Sequence, residues 1–182
     1  MKNIFKNAII LTLITLIAGT ALTFVYSITK EPIELGEKQA KAEAYKTVFS
    51  SAKSFDTTEL SNDDFAGSKI QEVAKAIDGD NLLGYVMTVS SKGYGGDIKL
   101  AIGIKNDGTI TGISILDASN ETPGLGAKVT EDEYTSQYKD LNTQQVDTEV
   151  DAISGATFSS NGVKNAVCAA LEFFEKNLKE GA

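Results

Sequence analysis

The chain has 182 residues, with 17 lysine and arginine against 25 aspartate and glutamate, a net charge of −8 and no histidine. The acidic balance argues against counterion-driven nucleic-acid binding. Without histidine there is no Ser-His-Asp or Cys-His catalysis, no haem-type histidine ligation and few routes to catalytic zinc. A single cysteine, Cys168, rules out an internal disulfide or a cysteine-held cluster.

Ala8 to Thr29 contains no charged residue. At 1.5 Å per residue it reaches roughly 33 Å, enough to cross a hydrocarbon core of about 30 Å. Lys2 and Lys6 precede it, and Lys30, Glu31, Glu34 and Glu37 follow. The positive-inside rule then places the N-terminus in the cytoplasm and the rest of the chain outside the cell membrane, as a single-pass protein. A cleaved signal peptide would have an apolar region of about 7–15 residues. This run is longer, so a retained anchor over residues 1–30 is the expectation, although Ala18-Gly-Thr-Ala21 has the small residues of a cleavage site.

Residues 31–80 read as a helical linker region. Ala40, Ala44, Tyr45, Val48, Phe49 and Ala52 share one helical face. Lys53 to Gly67 is polar and reads as a connection, and Ile70 to Ile77 fits a strand or a short helix. Three strands are expected next, over Leu82–Ser90, Asp97–Ile104 and Ile110–Leu116, each with apolar residues at alternate positions. Asn106-Asp-Gly-Thr109 signals a tight turn, so the last two should pair antiparallel. Asp117 to Ala127 is a loop, Glu131–Tyr138 a short helix, and Leu141–Val150 an irregular stretch with room for a short strand. The last element is the clearest. Val163, Ala166, Val167, Ala170, Leu171 and Phe174 make an amphipathic helix, with Ser160 or Asn161 as its cap. The fold class is α+β: an N-terminal transmembrane helix, then, after the linker, a single domain over residues 81–182 whose antiparallel sheet has one face buried under helices.

Three segments carry candidate chemistry. Asp151-Ala-Ile-Ser-Gly-Ala-Thr157 is a small-residue turn entering a helix, with hydroxyls at Ser154, Thr157, Ser159 and Ser160. Gly155 and Ala156 allow a ligand close to the backbone, and a helix N-terminus suits phosphate. An ordinary capped turn has the same composition. Glu121-Thr-Pro-Gly-Leu-Gly126 is a defined loop in which Gly124 and Gly126 permit positive φ on either side of Leu125. It would hold Leu125 outward against a planar ring, or simply turn the chain. Lys92-Gly-Tyr-Gly-Gly96 places Tyr94 in a flexible segment that also suits a hairpin loop.

Asp151–Thr157 resembles the flavinylation motif of the bacterial FMN-binding domain family, Asp-x-x-Ser/Thr-Gly-Ala-Thr. Glu121–Gly126 resembles that family's second signature. With the anchor, the motif order and the length, the chain resembles the G subunit of the Rnf electron-transport complex. The resemblance covers the anchor and residues from about 80 onward.

This resemblance implies FMN esterified through its phosphate to Thr157 by a dedicated flavin transferase, with Ser154, Gly155 and Ala156 around the attachment point. It further implies Glu121, Thr122, Gly124, Leu125 and Gly126 in the flavin site, and Tyr94 beside the flavin. Lys128 is expected, from charge alone, to balance a reduced, anionic flavin, and Asp151 to serve the transferase or orient the turn. The implied function is electron relay within a membrane complex that links ferredoxin and NAD and moves Na⁺ or H⁺. The chain would be a redox subunit with membrane-subunit partners, not an independent catalyst, with neither a metal site nor a nicotinamide-binding fingerprint of its own. The related C subunit of the sodium-translocating NADH:quinone reductase shares both motifs but is typically longer. An extracytoplasmic flavoprotein serving external acceptors, or a non-redox phosphate-binding module, are the other readings.

Overall fold

In a computed structural model, residues 2–65 and 67–179 are described. They divide into two units, residues 1–40 and 41–182. Helix α1 runs from Lys2 to Val48 and includes Pro32, so the linker expected after residue 30 continues the same helix. From Ile4 the helix is long and apolar enough to cross a membrane. Its serine and threonine hydroxyls are satisfied within the helix. Thr12 donates to the Ala8 carbonyl at 2.9 Å, Thr20 to Leu16 at 2.8 Å and Thr23 to Gly19 at 2.9 Å, which lets polar side chains sit in an apolar span.

The second unit is built on five strands in the order β1-β2-β3-β4-β5, every neighbour antiparallel. They are β1 (Ser54–Phe65), β2 (Ser68–Asp78), β3 (Asn81–Lys92), β4 (Asp97–Lys105) and β5 (Ile110–Asp117). The three strands expected from alternation are present as β3, β4 and β5. The polar stretch read as a connection is instead β1, an edge strand. An edge strand needs a partner on one side alone and carries charge without penalty.

The ambiguous stretch is β2. Its register shifts between Ile70 and Glu72 against β3. Such a bulge puts Ile70 and Val73, three residues apart, on the same buried face, where both belong to the main core.

Helix α4 (Thr157–Asn177) lies across that face. Val163, Ala166, Val167, Ala170, Leu171 and Phe174 join Met87, Val89, Ile98, Leu100, Ile102 and Ile104 in one core. Helix α2 (Asp132–Thr135) and the following 3-10 turn occupy the expected short helix. Helix α3 (Thr143–Glu149) replaces the irregular stretch. Asn142 caps it in a reciprocal capping box with Gln145, and Val146 is its buried residue.

The opposite sheet face is covered too, against the expectation of one buried face. Ala44, Tyr45, Val48 and Phe49, from the end of α1 and the turn after it, pack on Ala74, Ala76, Val86 and Ala101. Small residues let the helix end come close. A Cβ on Gly103 would lie 2.7 Å from the Val48 carbonyl oxygen, and that oxygen accepts a hydrogen bond from Thr111. Beside this contact Glu72, 5% exposed, forms an ion pair with Lys41 and accepts from Tyr45 Oη at 2.9 Å. Tyr45 shares a second hydrogen bond with Thr88 at 2.8 Å. Burial raises the Tyr45 phenol above its ordinary range, and the charge of Glu72 adds to that against the Thr88 hydrogen bond.

Candidate functional site

The three segments singled out in the sequence converge. Tyr94, Thr122, Leu125, Gly126, Gly155, Ala156, Thr157, Phe158 and Ser159 line one cavity of about 500 Å³, within the range of small-molecule sites. Tyr94 comes from the β3–β4 loop, Leu125 from the loop after β5, and Thr157 from the first turn of α4. Outside α1, the large hydrophobic side chains exposed among the described residues are Tyr94, Leu125 and Phe158. All three are on this rim. Tyr94 and Phe158 face each other with ring centroids 6.3 Å apart.

The glycines are used in two ways. Gly124 (φ 72°) and Gly155 (φ 80°) have left-handed backbones, which only glycine adopts freely. Gly126 was expected to do the same but does not have a positive φ. Its small size is what counts, since a Cβ there would lie 2.5 Å from Glu121 Oε2 and 2.6 Å from Ser159 Oγ. The loop around Tyr94 is likewise held by close packing. A Cβ on Gly95 would lie 1.8 Å from the Asn120 carbonyl oxygen, and one on Gly93 2.4 Å from Glu121 Oε1.

Glu121 sits behind the cavity, 3% exposed. Its Oε2 accepts from Ser159 Oγ and its Oε1 from the Gly95 amide at 3.1 Å. The carboxylate thus joins all three cavity segments.

Helix α4 begins at Thr157, three residues before the serine expected to cap it. Ala156 stands at the cap position with no side-chain hydrogen bond. The first-turn N–H groups are therefore open toward an anion, with the helix dipole behind them. The apolar stripe of α4, extended backwards by three or four residues, reaches Ser159 and Ser160. Both are buried, at 1% and 2% exposure. Ser159 is bound to Glu121, and Ser160 Oγ accepts from the Ile153 amide at 3.0 Å. Thr157 and Phe158 fall off the stripe and are exposed at the cavity. Ser154 is exposed but does not line it.

Gly124 turns the loop without lining the cavity, and Lys128 and Asp151 lie elsewhere. Lys128 and Asp151 line a neighbouring depression of about 210 Å³ together with Glu131, Glu133 and Gln137, so the structure does not bring Lys128 to the cavity. The Asp151 amide donates to Gln137 Oε1 at 2.9 Å. Phe158 was not singled out as a site residue. Its signal was available: a phenylalanine one residue after Thr157, off the apolar stripe, has no core to enter.

An elongated aromatic molecule with a phosphate end matches the cavity. Apolar rims flank it, glycine backbone leaves room beside it, and open N–H groups and a free hydroxyl lie at one end. FMN has that chemistry.

Residues 93–172 match the FMN-binding domain family, and residues 1–48 match the RnfG N-terminal region. The chain is 34% identical to the G subunit of the ion-translocating oxidoreductase complex of Methanosarcina acetivorans, over 94% of this chain and 95% of that protein. It is 32% identical to the G subunit of the Na(+)-translocating ferredoxin:NAD(+) oxidoreductase complex of Acetobacterium woodii, over 96% and 93%. Among solved structures it is similar to Shewanella oneidensis NqrC, with a TM-score of 0.52, 22% identity and 70% of each chain covered, a likeness of fold.

Proposed function

The chain belongs to the G-subunit family of ion-translocating oxidoreductase complexes, and on that premise we propose that it is the membrane-anchored, FMN-bearing electron-transfer subunit of such a complex. The finer reading is an Rnf-type ferredoxin:NAD oxidoreductase coupled to Na⁺ or H⁺ movement, with FMN held through a phosphoester to Thr157. FMN supplies the redox chemistry when bound. Thr157 is its attachment point, and the open first turn of α4 receives the phosphate. Tyr94, Thr122, Leu125 and Phe158 flank the ring and restrict water around it.

One observation carries the assignment to Thr157. Of the four hydroxyls between Ser154 and Ser160, Ser159 and Ser160 are buried and engaged within the fold, and Ser154 stands outside the cavity lining. Thr157 is exposed and lines the cavity. The lysines before the apolar span and the acidic residues after it support an N-terminus in the cytoplasm and the flavin domain outside. A cofactor outside the cell is lost when it dissociates, which favours a covalent tether. Other membrane subunits and a flavin transferase complete the set of partners.

Intact mass after co-expression with a flavin transferase tests the reading. The expected gain equals FMN less one water, absent in Thr157→Ala and retained in Ser154→Ala. No gain in the wild-type chain, or a gain that persists in Thr157→Ala, overturns the attachment.

A further inference from the structure

Glu121 does more than close the wall of the cavity. The residue is 3% exposed, and among the described residues the donors that reach its carboxylate, a hydroxyl and a backbone amide, are both neutral. Gly126 and Ser159 line the cavity directly; Ser159 Oγ donates to Glu121 Oε2, and a Cβ on Gly126 would lie 2.5 Å from the same oxygen. The carboxylate is therefore one residue layer behind the cavity. A carboxylate receiving two neutral hydrogen bonds keeps most of its field, and in a poorly solvated wall that field is weakly screened.

We propose that Glu121 is the positioning residue of the cavity and sets the electron affinity of what the cavity holds. This rests on the cavity being the flavin site. Through Gly95 the carboxylate holds the backbone next to Tyr94. Through Ser159 it holds the first turn of α4, in which Thr157 is the first residue. The spacing between the aromatic rim and the attachment hydroxyl depends on this tie. The charge acts separately from the shape. Each electron taken up by a flavin without a proton adds negative charge, and a fixed carboxylate behind the wall opposes it. The same carboxylate thus orders the site and keeps the reduction potential low.

Two substitutions separate shape from charge. Glu121→Gln keeps the size and removes the charge. Ser159→Ala keeps the charge and removes one of the hydrogen bonds that temper it. The full chain is produced with a flavin transferase, its flavin content is read by intact mass, and its midpoint potential is read by spectroelectrochemical titration. The expected shifts have opposite signs: positive for Glu121→Gln and negative for Ser159→Ala. Glu121→Ala, which removes both the tie and the charge, is expected to take up several-fold less flavin than the Gln variant. Where Glu121→Gln does not fold, the Ser159→Ala shift decides the charge role. Potentials within error of the wild-type value in the loaded variants, or shifts of the same sign, overturn that role. Loading of Glu121→Ala equal to that of Glu121→Gln overturns the positioning role. A wild-type chain without flavin mass is a failure of the flavin reading, and is recognised before any variant is compared.

Discussion

Tyr94 lies in the β3–β4 loop and Phe158 in the first turn of α4, yet their rings meet at 6.3 Å between centroids, inclined by 49°. Both are about 70% exposed, at 71% and 70%, so neither contributes much to the core. We expect Tyr94→Ala and Phe158→Ala each to change unfolding free energy by about 1 kcal/mol or less, the scale of one aromatic contact. Denaturant melts check that. In the loaded protein, the same substitutions should raise the fluorescence of the bound flavin by removing aromatic neighbours. Unchanged fluorescence in both variants argues against the two rings as flavin walls.

The two glycines flanking Leu125 should respond differently to alanine. Gly124 has open space around it and a φ of 72°, so Gly124→Ala should lose about 1–2 kcal/mol through backbone strain. Gly126→Ala instead drives a methyl against Glu121 and Ser159. Overpacking of that kind typically loses about 1–3 kcal/mol, and here it should also lower flavin uptake. Urea titrations rank the stabilities. Equal flavin uptake by the two variants would count against the packing role of Gly126.

Lys41 and Glu72 form an ion pair in which the carboxylate side chain is 7% exposed. Lys41→Ala leaves that charge buried, and we expect a loss of about 3 kcal/mol. Removing both partners together, as Lys41→Met with Glu72→Leu, should recover much of that loss, because the unpaired charge goes as well. A double-mutant cycle measures the coupling. Additive losses would show that the pair contributes little.

Cys168 is half-buried on α4, and burial pushes its thiol up to about 11, with Asp147 and Glu172 adding to the effect. The thiolate is the reactive form. Alkylation by iodoacetamide at pH 8 should therefore be slower than for a free thiol by roughly a hundredfold, rising about tenfold per pH unit up to that value. Rapid labelling at pH 8 in the folded protein would refute this.

Acid should loosen the β4–β5 turn. Asp107 accepts the Thr109 amide at 2.8 Å, and hydrogen bonding from Thr109 holds its carboxyl below the ordinary value. A depressed folded pKa means that the contribution is present above the unfolded pKa, near 4, and is lost as pH falls through the folded value. Amide exchange at Thr109 should thus gain protection above about pH 4, after correction for the intrinsic pH dependence of exchange. Asp107→Asn should flatten that dependence. A wild-type profile in the variant would assign the protection to another group.

How much of this was legible in the sequence depended on how each element meets water. β3, β4 and β5 alternate because each has large apolar side chains on the α4 face, and α4 shows its stripe because it buries a single side. β1 was missed because an edge strand has no need of apolar alternation, and Ser54 to Phe65 is mostly polar. β2 was ambiguous because its bulge breaks the period of two. α3 was missed because one apolar residue, Val146, anchors it; the Asn142–Gln145 capping pair was the available signal. The site motifs were legible as residue types. The division of labour among their hydroxyls was not, since it depends on where α4 begins and on the partner that Glu121 offers to Ser159. Lys128 was placed by charge alone, and charge does not specify which of two adjacent depressions a side chain lines.

The walls of the cavity come from the loop at Tyr94, the loop at Leu125 and the first turn of α4, a helix that continues to Asn177. During synthesis the first two are made long before the third. A helix start has no fixed place until the turns behind it have docked on the sheet, so the cavity does not exist on a nascent chain. If the cavity takes FMN as proposed, the domain has to fold before the cofactor can be seated. A chain cut short within α4 would keep the loops at Tyr94 and Leu125 and lose the core contacts of Val167, Leu171 and Phe174 that seat the third wall.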